Sequence, residues 1–229
     1  MFFPAILNTL HYIHHMLTVK SFTFSPVQEN TYLLYNEQKD ALLIDPGCYY
    51  QDERDELVSF INKEGLVLTK LLNTHCHLDH VFGNKFIAES YGLKLHMHKK
   101  EELMLQRAPA SGLMFNLPFD NYTGELIFLE EGDKVNLGMD ILEVIFAPGH
   151  SPGHVCFYCE AQHFIIGGDV LFYQSIGRTD LPGGDHATLI KSIKEKLLVL
   201  PDDVIVYSGH GQHTTIGAEK QHNPFVLAD

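Results

Sequence analysis

The sequence predicts an α+β fold in which two mixed β-sheets pack face to face with helices on the outside. Short apolar runs of the kind that form strands occur in both halves of the 229-residue chain. The first two such runs follow each other without a helix between them, which favours a mixed or antiparallel sheet. Amphipathic helical segments follow strands in each half, and helices of this kind cover the outer face of a sheet.

In the first half, residue spacing predicts five strands and three helices. The strands are expected at 18–24, 30–35, 41–44, 66–73 and 93–97, and the helices at 52–63, 80–91 and 99–106. Gly65 and Gly92 stand where the first two helices should end. Residues 107–125 contain two prolines and two glycines, so we expect a long surface loop of the functional or mobile type.

The second half of the chain shows a similar pattern of strands and an amphipathic helix. Strands are expected at 133–135, 141–146, 154–159, 163–166 and 204–207, with one amphipathic helix at 186–198. No linker or short-period repeat interrupts the pattern, which indicates a single domain over 16–229.

Composition limits the classes of function. The chain has 16 Lys and Arg against 29 Asp and Glu, a formal charge of -13. A surface this acidic repels phosphate, so neither nucleic acid nor an anionic membrane is an expected partner, and no apolar run is long enough to span a membrane. Residues 1–15 are apolar but lack Lys, Arg and a cleavage site, so they are interpreted as an N-terminal extension or a mis-assigned start. We expect a cytoplasmic protein, and the sequence leaves its oligomeric state open.

The residues with the clearest chemistry lie in Leu71-Leu72-Asn73-Thr74-His75-Cys76-His77-Leu78-Asp79-His80. Residues two apart in extended chain face the same side, so His75 and His77 can present their imidazoles to one point. Asp79 and His80 follow where the chain turns into a helix and can reach a second point nearby. An apolar run that ends in four metal-ligand side chains predicts a metal site.

Three later strand ends offer further ligands. His150 follows Pro148-Gly149, Asp169 follows two glycines, and His210 follows Gly209. Glycine beside a ligand allows close approach of the backbone. Seven ligands exceed the four of a single zinc site but suit two metals that share a carboxylate. We therefore expect His75, His77 and His150 on one metal, Asp79, His80 and His210 on the other, and Asp169 as the bridge. Zinc is the first choice, and iron or manganese also suit these ligands.

The ordered motifs T-H-C-H-L-D-H (74–80), P-G-H (148–150), G-G-D (167–169) and G-H (209–210) resemble those of the metallo-β-lactamase superfamily. The resemblance implies a four-layer αββα sandwich with the metal centre at the edge of the sheets. Metallo-β-lactamases proper lack the bridging aspartate, whereas Asp169 occupies that place here. The stretches 175–185 and 210–219 look like those of the short glyoxalase II-like (hydroxyacylglutathione hydrolase-like) enzymes. Full-length glyoxalase II continues into a helical domain that binds glutathione, whereas this sequence ends at Asp229.

The resemblance implies hydrolysis of a small-molecule thioester, such as S-lactoylglutathione, by a metal-bridging hydroxide that Asp79 would also orient. Arg178 matches a substrate-binding basic position, although Asp180 stands where that family has an aromatic residue. Asp45 and His154 are candidates to orient ligand histidines through the second ring nitrogen. Alternative functions are a persulfide dioxygenase with one iron, and a lactonase or another small-ester hydrolase of the same fold.

Overall fold

A computed structural model describes residues 16–227 of the chain. Residues 1–15, interpreted above as an extension or a mis-assigned start, lie outside the described residues. Within residues 16–227, no helix combines the length and the apolar character needed to cross a membrane.

Two six-stranded sheets form the body of the fold. The first sheet contains strands β1 to β6 in chain order, with the first two neighbouring pairs antiparallel and the last three parallel. Its strands are β1 (Thr18–Phe24), β2 (Glu29–Tyr35), β3 (Asp40–Ile44), β4 (Val67–Leu72), β5 (Leu95–His98) and β6 (Leu126–Leu129). Both kinds of pairing therefore occur in one sheet, as the sequence predicted.

The second sheet has the order β14-β13-β10-β9-β8-β7 and is also mixed, since only β10 and β13 pair in parallel. Its strands are β7 (Lys134–Leu137), β8 (Asp140–Phe146), β9 (Val155–Cys159), β10 (Phe164–Gly168), β13 (Ile205–Ser208) and β14 (Thr214–Thr215). A small hairpin of β11 (Leu171–Phe172) and β12 (Ser175–Ile176) follows β10.

Within the described part of the chain, seven helices accompany the sheets. They are α1 (Gln51–Glu64), α2 (Leu78–Val81), α3 (Asn84–Tyr91), α4 (Glu102–Met114), α5 (His186–Ser192), α6 (Ile216–His222) and α7 (Pro224–Leu227). A π-helical turn (Ile193–Leu197) extends α5, and single 3-10 turns occupy Lys99–Glu101 and Glu160–Gln162.

Alternating side chains of each strand enter different cores, which separates the molecule into four layers. In β4, Leu71 packs into a core shared with α1, α3 and α4, whereas Leu72 packs into the core between the two sheets. In β9, Phe157 enters the core between the sheets, and Cys156 enters a third core with residues of α5 and α6. The predicted αββα sandwich is thereby confirmed.

Several elements differ from the prediction. The helix expected at 80–91 is two helices, α2 and α3. They are separated at Gly83, where a Cβ atom would lie 2.5 Å from Cys48 Sγ and 2.8 Å from the carbonyl oxygen of Pro46. Strands β6, β11, β12 and β14 and helices α6 and α7 were not predicted.

The prediction of a loop at 107–125 was wrong for residues 107–114, because α4 continues to Met114. Pro109 has no N–H to donate to the carbonyl of Leu105. The side chain of Asn121 donates to that carbonyl instead, at 2.7 Å, so the helix can pass through the proline. Helix α4 thus supplies an ordered wall beside the site described next.

Candidate metal centre

The segment between β4 and α2 carries four of the predicted ligands and is fixed by buried carboxylates on both sides. Thr74 donates from its N–H to Asp45 Oδ1 at 2.7 Å and from its hydroxyl to Asp45 Oδ2 at 2.6 Å. The N–H of Cys76 donates to Glu101 Oε2 at 2.8 Å. His75 and His77 leave the sheet on this segment, while Asp79 and His80 lie on α2.

His75, His77 and His150 converge at one point, and we call them the first cluster. His77 Nδ1 lies 2.8 Å from His150 Nε2, which in turn lies 3.2 Å from His75 Nε2. Burial lowers the pKa of all three imidazoles, that of His77 to about 3. They are therefore neutral near pH 7 and can offer lone pairs to a cation without first losing a proton.

Asp79, His80 and His210 form the second cluster. Asp79 Oδ2 lies 3.2 Å from His210 Nε2 and 3.8 Å from His80 Nε2. Burial alone would lower the pKa of His80, but Asp169 and Asp79 outweigh it and raise that pKa well above its usual value. For His210, burial is likewise outweighed, in this case by the hydrogen bond to Asp79, so its pKa is also raised.

Asp169 lies between the two clusters. Its Oδ2 is 3.5 Å from His150 Nε2 of the first cluster and 3.6 Å from His210 Nε2 of the second, and its Oδ1 is 3.5 Å from His80 Nε2. Burial would raise the pKa of this carboxyl, but the surrounding histidines, His80 foremost, hold it far below its usual range. A carboxylate in this position can contact cations held by either cluster.

The donor set fits two divalent cations. Within each cluster, one ligand atom per residue lies within 4.8 Å of the others, which is a metal-like spacing. Nine buried side-chain atoms have no hydrogen-bond partner among residues 16–227, and three of them belong to predicted ligands: His77 Nε2, His80 Nε2 and Asp169 Oδ1. Burying such atoms unpaired costs free energy, which coordination of a cation would offset. Asp45 is also near His75 and His80, but both of its oxygens already accept hydrogen bonds, so it is better suited to orienting than to ligation.

Four of the five histidines have a partner on the ring nitrogen that faces away from the clusters, an arrangement that fixes the tautomer and the ring orientation of metal ligands. These contacts are His75 Nδ1 with Thr74 Oγ1 at 3.0 Å, His80 Nδ1 with Asp45 Oδ2 at 3.1 Å, His150 Nδ1 with the Arg178 carbonyl at 2.8 Å, and His210 Nδ1 with the Gln28 carbonyl at 3.2 Å.

A model of the metallo-β-lactamase superfamily matches residues 24–210 of this sequence. The chain belongs to the metallo-β-lactamase superfamily. A relative from Haemophilus influenzae named hydroxyacylglutathione hydrolase GloC is 39% identical, over 87% of this chain and 93% of its own length. A solved structure described as BLEG-1 B3 metallo-β-lactamase has a TM-score of 0.85 at 37% identity, over 92% of this chain and all of that one. Another, TTHA1623 in a di-iron-bound form, has a TM-score of 0.82 at 37% identity, over 90% of this chain and all of that one.

These superfamily relationships make the chain a metallo-hydrolase. Five of the seven ligand-type residues line a cavity of about 730 Å³: His77, Asp79, His150, Asp169 and His210. Residues of α4 and of the segment around β11, β12 and Arg178 also line it.

Arg178 and His154 were both selected from the sequence. Arg178 lines the cavity, and its guanidinium forms a two-point ion pair with Asp180, with both N–O distances 2.7 Å. It is the main chain of Arg178 that contacts His150. The Nε2 of His154 accepts from the N–H of Asp169 at 3.0 Å, and its ring stacks on His75 with 4.8 Å between centroids. His154 thus forms a hydrogen bond with the backbone of the predicted ligand Asp169, and not with the second ring nitrogen of a ligand histidine.

Two buried carboxylates beside the clusters were missed by the sequence reasoning. Glu101 accepts from the N–H of Cys76, from the hydroxyl of Ser151 at 2.5 Å and from the N–H of Gly153 at 2.6 Å. It therefore joins the segment of His75 and His77 to the segment of His150.

Glu29 is fully buried, accepts from the Thr31 hydroxyl at 2.9 Å and lies 3.9 Å from His80 Nδ1, and burial raises its pKa. No sequence motif marks Glu29 or Glu101, since Glu29 stands among the polar residues Gln28, Asn30 and Thr31.

Proposed function

We propose that this metallo-hydrolase cleaves thioesters, with S-acylglutathiones such as S-lactoylglutathione as its substrates, and that it uses two divalent metal ions. The observation that carries the proposal is the pair of adjacent three-residue clusters with Asp169 between them. A single-iron persulfide dioxygenase would have no need of the second cluster, so its completeness favours hydrolysis.

In this proposal the residues of the first cluster would hold one ion and those of the second cluster the other, with the Asp169 carboxylate available to both. Bound divalent metals of this kind lower the pKa of coordinated water toward about 7 and polarise a carbonyl oxygen. The side chain of Asp79, at the cavity floor, orients the attacking water relative to the substrate carbonyl. A thiol has a pKa near 8.5, so a thiolate can leave without a strong general acid, and none is needed from the chain.

The comparisons support the same choice. The relative in Haemophilus influenzae carries the name hydroxyacylglutathione hydrolase, and 93% of its length aligns with this chain. The di-iron form of TTHA1623 makes iron a candidate beside zinc and manganese. The apolar walls of the cavity, which include Met104, Phe172 and Ile176, would shield the reacting carbonyl from bulk water.

The test compares ligand variants with a histidine control. His77→Ala and Asp169→Asn are expected to lose bound metal and at least about 100-fold in kcat on S-lactoylglutathione, because the first removes a ligand and the second removes the shared charge. His163→Asn, which removes an exposed ion pair with Asp203 and keeps a residue that tolerates the positive φ of 50°, should retain both. Metal content is measured by plasma emission spectrometry and folding by circular dichroism. Undiminished turnover by a folded, metal-depleted His77→Ala protein would refute the proposal.

A second candidate is hydrolysis of β-lactams, because a structure described as a B3 metallo-β-lactamase is 37% identical over its whole length. A chromogenic cephalosporin and a simple lactone in the same assay panel decide between the reactions. A kcat/KM for the cephalosporin above that for every thioester would favour this candidate.

A further inference from the structure

One face of α4 lines the cavity at helical spacing. The residues three, four, seven and eleven positions after Met104 on that face are all part of the cavity wall: Arg107, Ala108, Ser111 and Phe115. Most of this face is apolar, but Arg107 contributes a cation and Ser111, one turn further on, contributes a hydroxyl. A helix wall that places one charged group among apolar ones is typical of sites that orient a ligand by a single ionic contact.

Arg107 is a cation that forms no ion pair with the carboxylates of residues 16–227. Helical cations elsewhere pair with carboxylates, as Lys85 does with Glu89 and Lys191 with Glu195 at i,i+4. Around Arg107 the positions three and four residues away are Leu103, Met104, Ala110 and Ser111, none of which is acidic. Across residues 16–227, the ion pairs of the structure include none to Arg107.

Arg178 differs from Arg107. Arg178 also lines the cavity, but its Nε–H and one Nη2–H both donate to the Asp180 carboxylate in a two-point contact. A guanidinium whose charge is already paired in this way attracts a ligand carboxylate less strongly. Of the two arginines on the cavity wall, Arg107 is therefore the one without an ion pair to a carboxylate among residues 16–227.

We infer that Arg107, with Ser111 beside it, forms a subsite for a carboxylate on the substrate, and that Arg107 rather than Arg178 gives the enzyme its preference for anionic thioesters. This inference rests on the proposed thioester hydrolysis and assigns its substrate class. A surface of net charge -13 disfavours anions in general, so a cation on the cavity wall, away from the metal clusters, would favour a substrate that carries a carboxylate. The planar fork of arginine matches a carboxylate with two parallel hydrogen bonds.

The experiment uses the metal-loaded enzyme and matched substrate pairs. S-acetyl thioesters of a homologous series of mercaptoalkanoic acids are compared with their carboxamides, which have the same shape without the charge. The wild type should prefer the best acid by about tenfold in kcat/KM, which corresponds to about 1.4 kcal/mol. Arg107→Met should abolish that preference through a higher KM for the acid, with kcat on the carboxamide unchanged.

Three further variants make the result specific. Arg107→Lys should keep part of the preference, and Arg178→Met should keep it. Lys63→Met removes a cation of α1 that is not part of the cavity wall and should change nothing. Equal kcat/KM values for acids and carboxamides in the wild type, or a preference that survives Arg107→Met, would overturn the inference.

Binding measured without turnover separates this inference from the proposed function. The S-methyl thioethers of the same thiols cannot be hydrolysed, and calorimetric titration reports their affinity directly. If no thioester is hydrolysed, the proposed function fails, yet the acid thioether should still bind the wild type about tenfold more tightly than its carboxamide. If thioesters are hydrolysed but the two thioethers bind equally, the carboxylate subsite fails alone.

Discussion

Replacement of Glu101 should reduce both the stability of the fold and the metal affinity of the first cluster. Its carboxylate accepts from Cys76, Ser151 and Gly153, and hydrogen bonds to a charged group contribute about 1.5–3 kcal/mol each. Because bonds in one network are not additive, Glu101→Ala should lower the free energy of unfolding by roughly 3–6 kcal/mol. That is a large share of the about 5–15 kcal/mol that holds a typical domain folded.

Glu101→Gln is the more informative variant. It keeps one acceptor oxygen but turns an amide N–H₂ toward a donor, so we expect a loss of roughly 1–3 kcal/mol. The segments of His75 and of His150 would then lose their common acceptor. Metal affinity at the first cluster should fall by about 10–100-fold, as for other contacts that support metal ligands.

Urea unfolding of the metal-free protein gives the first quantity, and competition with a chromophoric chelator gives the second. Glu219→Gln is the matched control. Glu219 is also buried and accepts from the Gln174 N–H, the Thr214 hydroxyl and the Asn223 side chain, but it contacts neither cluster. Equal destabilisation by the two substitutions, with wild-type metal affinity in Glu101→Gln, would show that Glu101 only stabilises the fold.

Three further outcomes are expected. Asp45→Asn keeps a residue that tolerates the positive φ of 51° but removes the charge beside His80, so metal affinity of the second cluster should fall about 10–100-fold in chelator competition. Affinity of the first cluster should fall less, because Asp45 reaches His75 only through Thr74. Because the pKa values of His80 and His210 are raised, metal binding at the second cluster must release protons, and the metal affinity of that cluster should increase with pH. Calorimetry in buffers of different ionisation enthalpy measures the number of protons released. Metal binding without proton release would contradict this prediction. Gly209→Ala would place a Cβ atom 2.1 Å from Asp169 Oδ1, so the folded variant should bind fewer than two metals by emission spectrometry, and full occupancy would be inconsistent with this crowding.

Local spacing was sufficient to predict the layers of the fold and to select the candidate ligands. The His-x-His-x-Asp-His array is contiguous, and the three later ligands each follow a strand beside a glycine, so short stretches carry the signal. Residues that act through the tertiary structure gave no such signal. Glu101 is 25 residues from Cys76 and 50 from Ser151 in sequence, and only folding brings them together.

Helix α4 shows why a strong local rule can mislead. Pro109 and Gly112 predicted a break, since proline removes a helical hydrogen bond. The carbonyl that Pro109 leaves unpaired is instead taken by Asn121, twelve positions further along, and a Cβ atom on Gly112 would lie 2.6 Å from the Leu117 carbonyl oxygen. Both residues favour the helix through contacts with the segment that follows it, which is information a local pattern does not contain.

The chain passes from the first sheet to the second only once. Every strand of the first sheet lies before Glu130 and every strand of the second lies after Asp133, so each sheet belongs to one half of the sequence. Each cluster takes ligands from both halves, because His75, His77, Asp79 and His80 come from the first and His150, Asp169 and His210 from the second. Neither half can assemble a complete set of ligands by itself. Metal affinity in this protein therefore depends on how well its two halves pack together. A substitution that loosens the packing between the sheets should lower metal affinity even though every ligand is unchanged.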